Sequence, residues 1–170
     1  SADDYCLGAD RARLVALDRR DWSRLPPVSL GADLKRRLTA VMPGVRSQLE
    51  RHQWVKHGSC SGLGAERYFS AAIDLTEEIA ASSFGDTIEA NEGREIARRD
   101  LLQAFSTAFG KGSERAVQLL CRSEDGTATL TEVRMRLRAD AIEAPLSGRS
   151  FDTSRSAKGS CPARFLVERD

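Results

Sequence analysis

The chain has 170 residues, room for one folded domain, and its 41% hydrophobic and 30% charged residues describe a globular chain rather than a disordered one. A net charge of +1 gives no global attraction to nucleic acid, although a local basic groove remains compatible with it, because binding depends on where charge sits. No apolar run approaches the ~18 residues of a membrane span, so no membrane partner is expected, and Ser1 to Asp10 lacks the basic patch and apolar core of a signal peptide.

Along the chain, residues 1–28 read as irregular, punctuated by Pro26-Pro27. Ser29 is a candidate cap for a helix carrying Leu34, Leu38 and Val41 at helical spacing, stopped by Pro43-Gly44. A second helix is expected over 46–57, ended by Gly58. Between 65 and 81, Tyr68, Phe69, Ala72, Ile73, Leu75 and Ile79 share one side, the mark of an amphipathic helix. Asp100 opens another, with Leu101, Leu102, Phe105, Ala108 and Phe109 on its apolar stripe.

The period then changes. Ala116 to Cys121 is a short apolar run suited to a buried strand, and Val133, Met135 and Leu137 alternate with Arg134, Arg136 and Arg138 as in a strand with one wet face. Phe165 to Val167 adds a last strand. Helices precede strands, so the expected class is α+β, with several helices packed on an antiparallel sheet.

Cys6, Cys60, Cys121 and Cys161 are scattered, with no C-x-x-C pair to suggest a zinc ribbon or a redox site. An even, scattered set suggests two disulfides and a periplasmic or secreted protein; unpaired thiols in a cytosolic protein are the alternative.

Reactive side chains concentrate in His52-Gln53-Trp54-Val55-Lys56-His57-Gly58-Ser59-Cys60, which holds both histidines of the chain. On a helix, positions 52, 53, 56 and 57 fall within an arc of about 140°, so two imidazoles, an amide and an ammonium share a face. Trp54 and Val55 point elsewhere, free to anchor the helix in a core. An imidazole can take or give a proton near neutral pH, and a lysine beside it supplies fixed positive charge where a phosphoryl oxygen gains negative charge. Such a face suits phosphodiester chemistry without a metal or other cofactor. Zinc is disfavoured, because the histidines stand at i and i+5 with no carboxylate after His52. A solvated helix face whose histidines do nothing accounts for the same spacing.

The stretch Leu49 to Gly62 resembles the second active-site block of the ribonuclease T2 family, H-E-W-x-K-H-G-T/S-C, departing from it only at position 53. Leu25-Pro26-Pro27-Val28-Ser29-Leu30, Val41-Met42-Pro43-Gly44, Arg98-Arg99-Asp100, Leu130-Thr131-Glu132-Val133 and Ala139-Asp140-Ala141-Ile142 extend the resemblance over most of the chain, towards the bacterial, periplasmic ribonuclease I-like branch. The resemblance implies an endoribonuclease that cleaves single-stranded RNA, without metal, by attack of the 2′-hydroxyl on the adjacent phosphorus to give a 2′,3′-cyclic phosphate. It implies His57 as general base, His52 as a contact to the phosphate, and Lys56, with residue 53, as stabiliser of the transition state. It also implies the pairs Cys6–Cys60 and Cys121–Cys161.

Two departures qualify this. Gln53 stands where the family has Glu, keeping a hydrogen-bonding side chain of the same length without its charge. The other family block, H-G-L-W-P, whose histidine protonates the leaving 5′-oxygen, is absent from the 170 residues. In the family it lies shortly before the cysteine equivalent to Cys6. The expectation is therefore a single T2-like domain over 1–170 that lacks its N-terminal strands, the block being supplied upstream of Ser1 or by a separate N-terminal fragment. The alternative is a catalytically impaired T2-like protein that binds RNA or a protein partner. Arg134, Arg136 and Arg138 read as a solvated strand face rather than an RNA groove, and Trp22 as a packing residue rather than a base-stacking one.

Overall fold

The computed structural model describes residues 4–156 and 158–169, and its contacts gather into two units, Ser1–Thr76 and Glu77–Asp170. The first unit holds helices α1 (Arg11–Asp18), α2 (Ala32–Val41) and α3 (Leu49–Lys56) and most of α4 (Ala65–Ala80), with 3-10 turns at Trp22–Arg24, Pro43–Ser47 and Gly58–Cys60. Leu14, Leu25 and Val55 form one small core, with Tyr5, Leu7, Leu17 and Trp22 against it. Leu38, Phe69 and Ile73 form another, with Trp54 and Tyr68 among the residues packed on it. Helix α3 is anchored in both, Val55 in the first and Trp54 in the second, so its remaining face is left for chemistry.

The periodic stretches form the helices expected of them, with shifted boundaries. Helix α2 starts at Ala32 with Gly31 as its cap, so Ser29 lies before it. Helix α3 begins at Leu49 rather than near 46, because Gln48 adopts a left-handed conformation (φ 60°) that separates it from the preceding 3-10 turn. Helix α1 lies where irregular chain is expected. It buries only Leu14 and Asp18 and has no side-chain cap, so its sequence carries little helical signal.

In the second unit, α5 (Ser83–Ala90) is capped by the Ser82 hydroxyl, which accepts from Gly85 N. Then come β1 (Glu95–Ala97), α6 (Arg98–Phe109), β2 (Val117–Glu124), β3 (Thr127–Met135) and β4 (Arg164–Val167). The described strands form a four-stranded sheet in the order β1-β4-β3-β2. Asp125 and Gly126, both at positive φ, turn the β2–β3 hairpin as a two-residue loop requires. The chain is α+β as expected; β1–β4 and β2–β3 are antiparallel, while β3 and β4 run parallel.

Helices α5 and α6 cover the sheet through one core that includes Phe84, Leu101, Phe105, Leu119, Phe151 and Phe165. Phe105 touches Phe84 and Phe151 edge-on at ring separations of 5.0 Å, contacts worth ~0.5–1.5 kcal/mol each beyond their burial. Disulfides join Cys6 to Cys60 and Cys121 to Cys161, the pairs the family resemblance implies. The strand expected from Leu130 to Arg138 ends at Met135: Arg134 lies on it in an exposed ion pair with Glu132, in keeping with a solvated strand face, while Arg138 pairs with Asp140 beyond its end. Arg136 departs from that pattern: it is half-buried, and its Nε and Nη2 are buried without a hydrogen-bond partner. No helix among the described residues is long and apolar enough to cross a membrane.

Candidate active site

The block from His52 to Cys60 occupies the end of α3 and the turn that follows it. His57 closes the helix, its N–H donating to the Gln53 carbonyl at 3.0 Å. Gly58 follows because nothing larger fits: a Cβ there would lie 2.3 Å from the Trp54 ring, which is itself packed in the core. The Ser59 hydroxyl donates to the Val55 carbonyl at 2.9 Å and accepts from Cys6 N at 3.1 Å. Tyr5 N donates to the Lys56 carbonyl at 2.8 Å. Together with the Cys6–Cys60 bridge, these bonds hold the segment around Tyr5 alongside the last turn of α3.

That segment brings two groups to the histidines. Asp4 places a carboxylate oxygen 3.2 Å from His57 Nδ1. The Tyr5 hydroxyl donates to Asp18 at 2.6 Å, and Asp18 lies 2.8 and 2.9 Å, through its two oxygens, from His52 Nδ1. Burial and the bond to Asp18 push the Tyr5 phenol up to about 12, so it remains a proton donor across the neutral range. Trp22 lies nearly flat on His52, with ring centroids 4.8 Å apart and an angle of 22°. Arg51 fixes the turn that carries Trp22 by donating from Nη1 to the Ser23 and Leu25 carbonyls at 2.9 and 3.0 Å.

The two imidazoles meet edge to face with centroids 6.3 Å apart. The His57 side chain is 42% exposed and His52 only 18%. Burial, and next the neighbouring Lys56 ammonium, hold His57 below the usual histidine range, with Asp4 opposing. His57 is therefore mostly neutral at pH 7, the form that can accept a proton. Lys56 and the half-buried Gln53 lie on the same helix, so the four residues singled out from the sequence occupy one stretch of α3 and its cap. A cleft of 570 Å³, lined by Asp4, Tyr5, Arg11 and Arg19 among others, adjoins the site through the carboxylate that faces His57.

Sequence reasoning missed Asp4, Tyr5, Asp18 and Arg51. Asp18 is 34 residues from His52 and outside any motif, so only folding shows the pair. The expected Cys6–Cys60 bridge was the one signal that could have led to Asp4 and Tyr5. Trp22 packs, as expected, but its stacking partner is a histidine of the site.

Residues 18–155 match the model of the ribonuclease T2 family, and the chain belongs to that family. It is 37% identical over 146 residues to ribonuclease I of Escherichia coli (strain K12), across 85% of this chain and 53% of that protein, which places it in the bacterial, ribonuclease I-like branch. The chain thus spans about half the length of this curated relative. Among solved structures it shares its fold with ribonuclease MC1 from the seeds of bitter gourd (TM-score 0.58, 23% identity, 79% of this chain and 69% of that one). The self-incompatibility-associated SF11-RNase of Nicotiana alata is similar again (TM-score 0.62, 19% identity, 85% of this chain and 74% of that one).

Proposed function

We propose that the chain carries the catalytic helix of an endoribonuclease that cleaves single-stranded RNA by transphosphorylation, with no metal in the reaction. The observation that carries this reading is the His52–His57 pair, 6.3 Å apart at the end of α3, with the Lys56 ammonium beside the more exposed imidazole. Neutral His57 takes the proton of the ribose 2′-hydroxyl as that oxygen attacks phosphorus. Lys56 and the Gln53 amide stabilise the charge gathering on the phosphoryl oxygens, and His52 contacts the phosphate. The P–O5′ bond breaks, leaving a 2′,3′-cyclic phosphate, and the 5′-oxygen takes up a proton. In the family that proton comes from the histidine of H-G-L-W-P, which is not among the 170 residues. We read 1–170 as a single T2-like domain short of the strands that carry this block.

Two disulfides favour the periplasm or the extracellular space over a reducing cytosol. Gln53 favours the second reading, a catalytically impaired relative that binds RNA without cutting it. Homopolymer RNA incubated in excess chelator with the chain joined to the segment that carries H-G-L-W-P separates the two. Cyclic-phosphate ends support the nuclease, and bound but intact RNA supports the binder.

Two variants probe the chemistry further. Gln53→Glu is expected to raise kcat roughly tenfold, because a carboxyl group can share a proton with a phosphoryl oxygen where an amide cannot, and about 1.4 kcal/mol in the transition state is tenfold in rate. An unchanged kcat would show the amide to be an adequate substitute. Lys56→Gln removes the positive neighbour that lowers His57, so the acid limb of kcat/KM, which lies below the usual histidine value, moves up towards it. A pH profile in which that limb stays put, or moves down, would count against His57 as the base.

A further inference from the structure

We propose that Asp18 is the positioning residue of His52, holding the imidazole so that Nε2 is the nitrogen presented to the RNA phosphate. The proposal rests on the reading of His52 as a phosphate contact. Asp18 ends α1 and is 6% exposed, yet its carboxylate approaches His52 Nδ1 with both oxygens, at 2.8 and 2.9 Å. A carboxylate can only accept, so a ring proton sits on Nδ1 in either protonation state of the imidazole, and in the imidazolium Nε2–H is left to donate to the phosphate.

Three further contacts make this a built arrangement rather than a chance ion pair. The Tyr5 hydroxyl donates to Asp18 Oδ2 at 2.6 Å, which keeps the carboxylate from rotating away. The bridge at Cys6, one residue on, ties Tyr5 to the turn after α3. The Trp22 ring covers one face of His52 and restricts rotation of the imidazole. A buried carboxylate without a partner is strongly unfavourable, and His52 supplies one that a merely packed histidine would not need. Asp18, Tyr5 and Trp22 thus fix the tautomer, the tilt and the rotation of one ring.

The test reads the His52 tautomer by ¹⁵N NMR at a pH where the imidazole is neutral, then titrates inorganic phosphate at a lower pH, where the ring is an imidazolium and Nε2–H can donate. Wild-type His52 is expected to be the Nδ1–H tautomer, and phosphate to shift its Nε2 resonance. In Asp18→Asn the ring should turn largely to Nε2–H, the form favoured by free imidazole. With no carboxylate to hold the imidazolium in place, phosphate affinity at the lower pH should fall about tenfold or more and KM for RNA rise by a similar factor, with a smaller change in kcat. Tyr5→Phe should keep the tautomer. An Nε2–H ring in the wild-type protein overturns the proposal even if Asp18→Asn fails to fold. Equal phosphate affinity in folded wild type and Asp18→Asn overturns it too, and either result leaves the ribonuclease reading standing. Phosphate that leaves wild-type His52 unmoved refutes the phosphate contact itself, and the positioning role falls with it.

Discussion

Replacing His57 by alanine is expected to lower kcat on single-stranded RNA by about 10²–10⁴-fold, the usual contribution of a general base. Stability should hardly change. The side chain is 42% exposed, and its carboxylate neighbour Asp4 keeps 22% of its side chain open to water, so that charge is still solvated. The backbone bond that closes α3 comes from the N–H of residue 57 and survives the substitution. A second property separates this variant from one that merely loosens the site. With the base gone, the acid limb of the pH profile should vanish rather than shift, because His57 is the group whose deprotonation produces it. An activity loss with the acid limb intact would assign the proton transfer to another group.

The second large effect is expected from the Cys6–Cys60 bridge. Cys6→Ser/Cys60→Ser should cost ~2–4 kcal/mol in stability, measured by denaturant unfolding, because the closed loop spans most of the first unit. It should also cost activity under conditions where the protein is still folded. The bridge keeps Tyr5 beside the last turn of α3, and Tyr5 in turn steadies the Asp18–His52 pair. Cys121→Ser/Cys161→Ser is the control. That bridge ties β2 to the segment leading into β4, in the core of the second unit, whereas both histidines belong to the first. The account predicts comparable destabilisation from the two double variants but a marked loss of kcat/KM only from the first. Equal activity in both would mean that the Cys6–Cys60 bridge contributes stability alone.

Much of the fold was legible because its longer elements carry their own period. Helices α4 and α6 bury Phe69 and Ile73, and Leu101 and Phe105, from the apolar faces their spacing defines. Strand β2 takes up the apolar run read at Ala116 to Cys121 from Val117 onward, and β3 covers the alternation read from Leu130 as far as Met135. What escaped was short or held by tertiary contacts. Helix α1 is stabilised through Leu14 and Asp18, whose partners lie far along the chain. Helix α5 has only eight residues and includes Gly85, a poor helix former that is required there because the Ala80 carbonyl leaves no room for a Cβ. Strand β1 is three residues long, too short for any alternation to show.

The site divides the same way. His52, Gln53, Lys56 and His57 are contiguous enough for helical geometry and a family motif to find them. Their supports come from the N-terminal segment, from α1 and from the turn at Trp22, and only the folded chain brings these to α3. Motif reading therefore recovers the residues proposed to react but not the carboxylates that contact the two histidines. The parallel pairing of β3 with β4 was hidden for a related reason. Strand direction depends on the path of the connection between them, which has no periodicity to read.

Attack by the ribose 2′-oxygen is tested most directly by a DNA oligonucleotide containing a single ribonucleotide, incubated with the protein in excess chelator. It predicts one cut, at the phosphate 3′ to the lone ribose, leaving a 2′,3′-cyclic phosphate, and no cut in the all-deoxy control. Cleavage at deoxy linkages, or a product ending in a free 3′-hydroxyl, would contradict attack by the 2′-oxygen and with it the role given to His57.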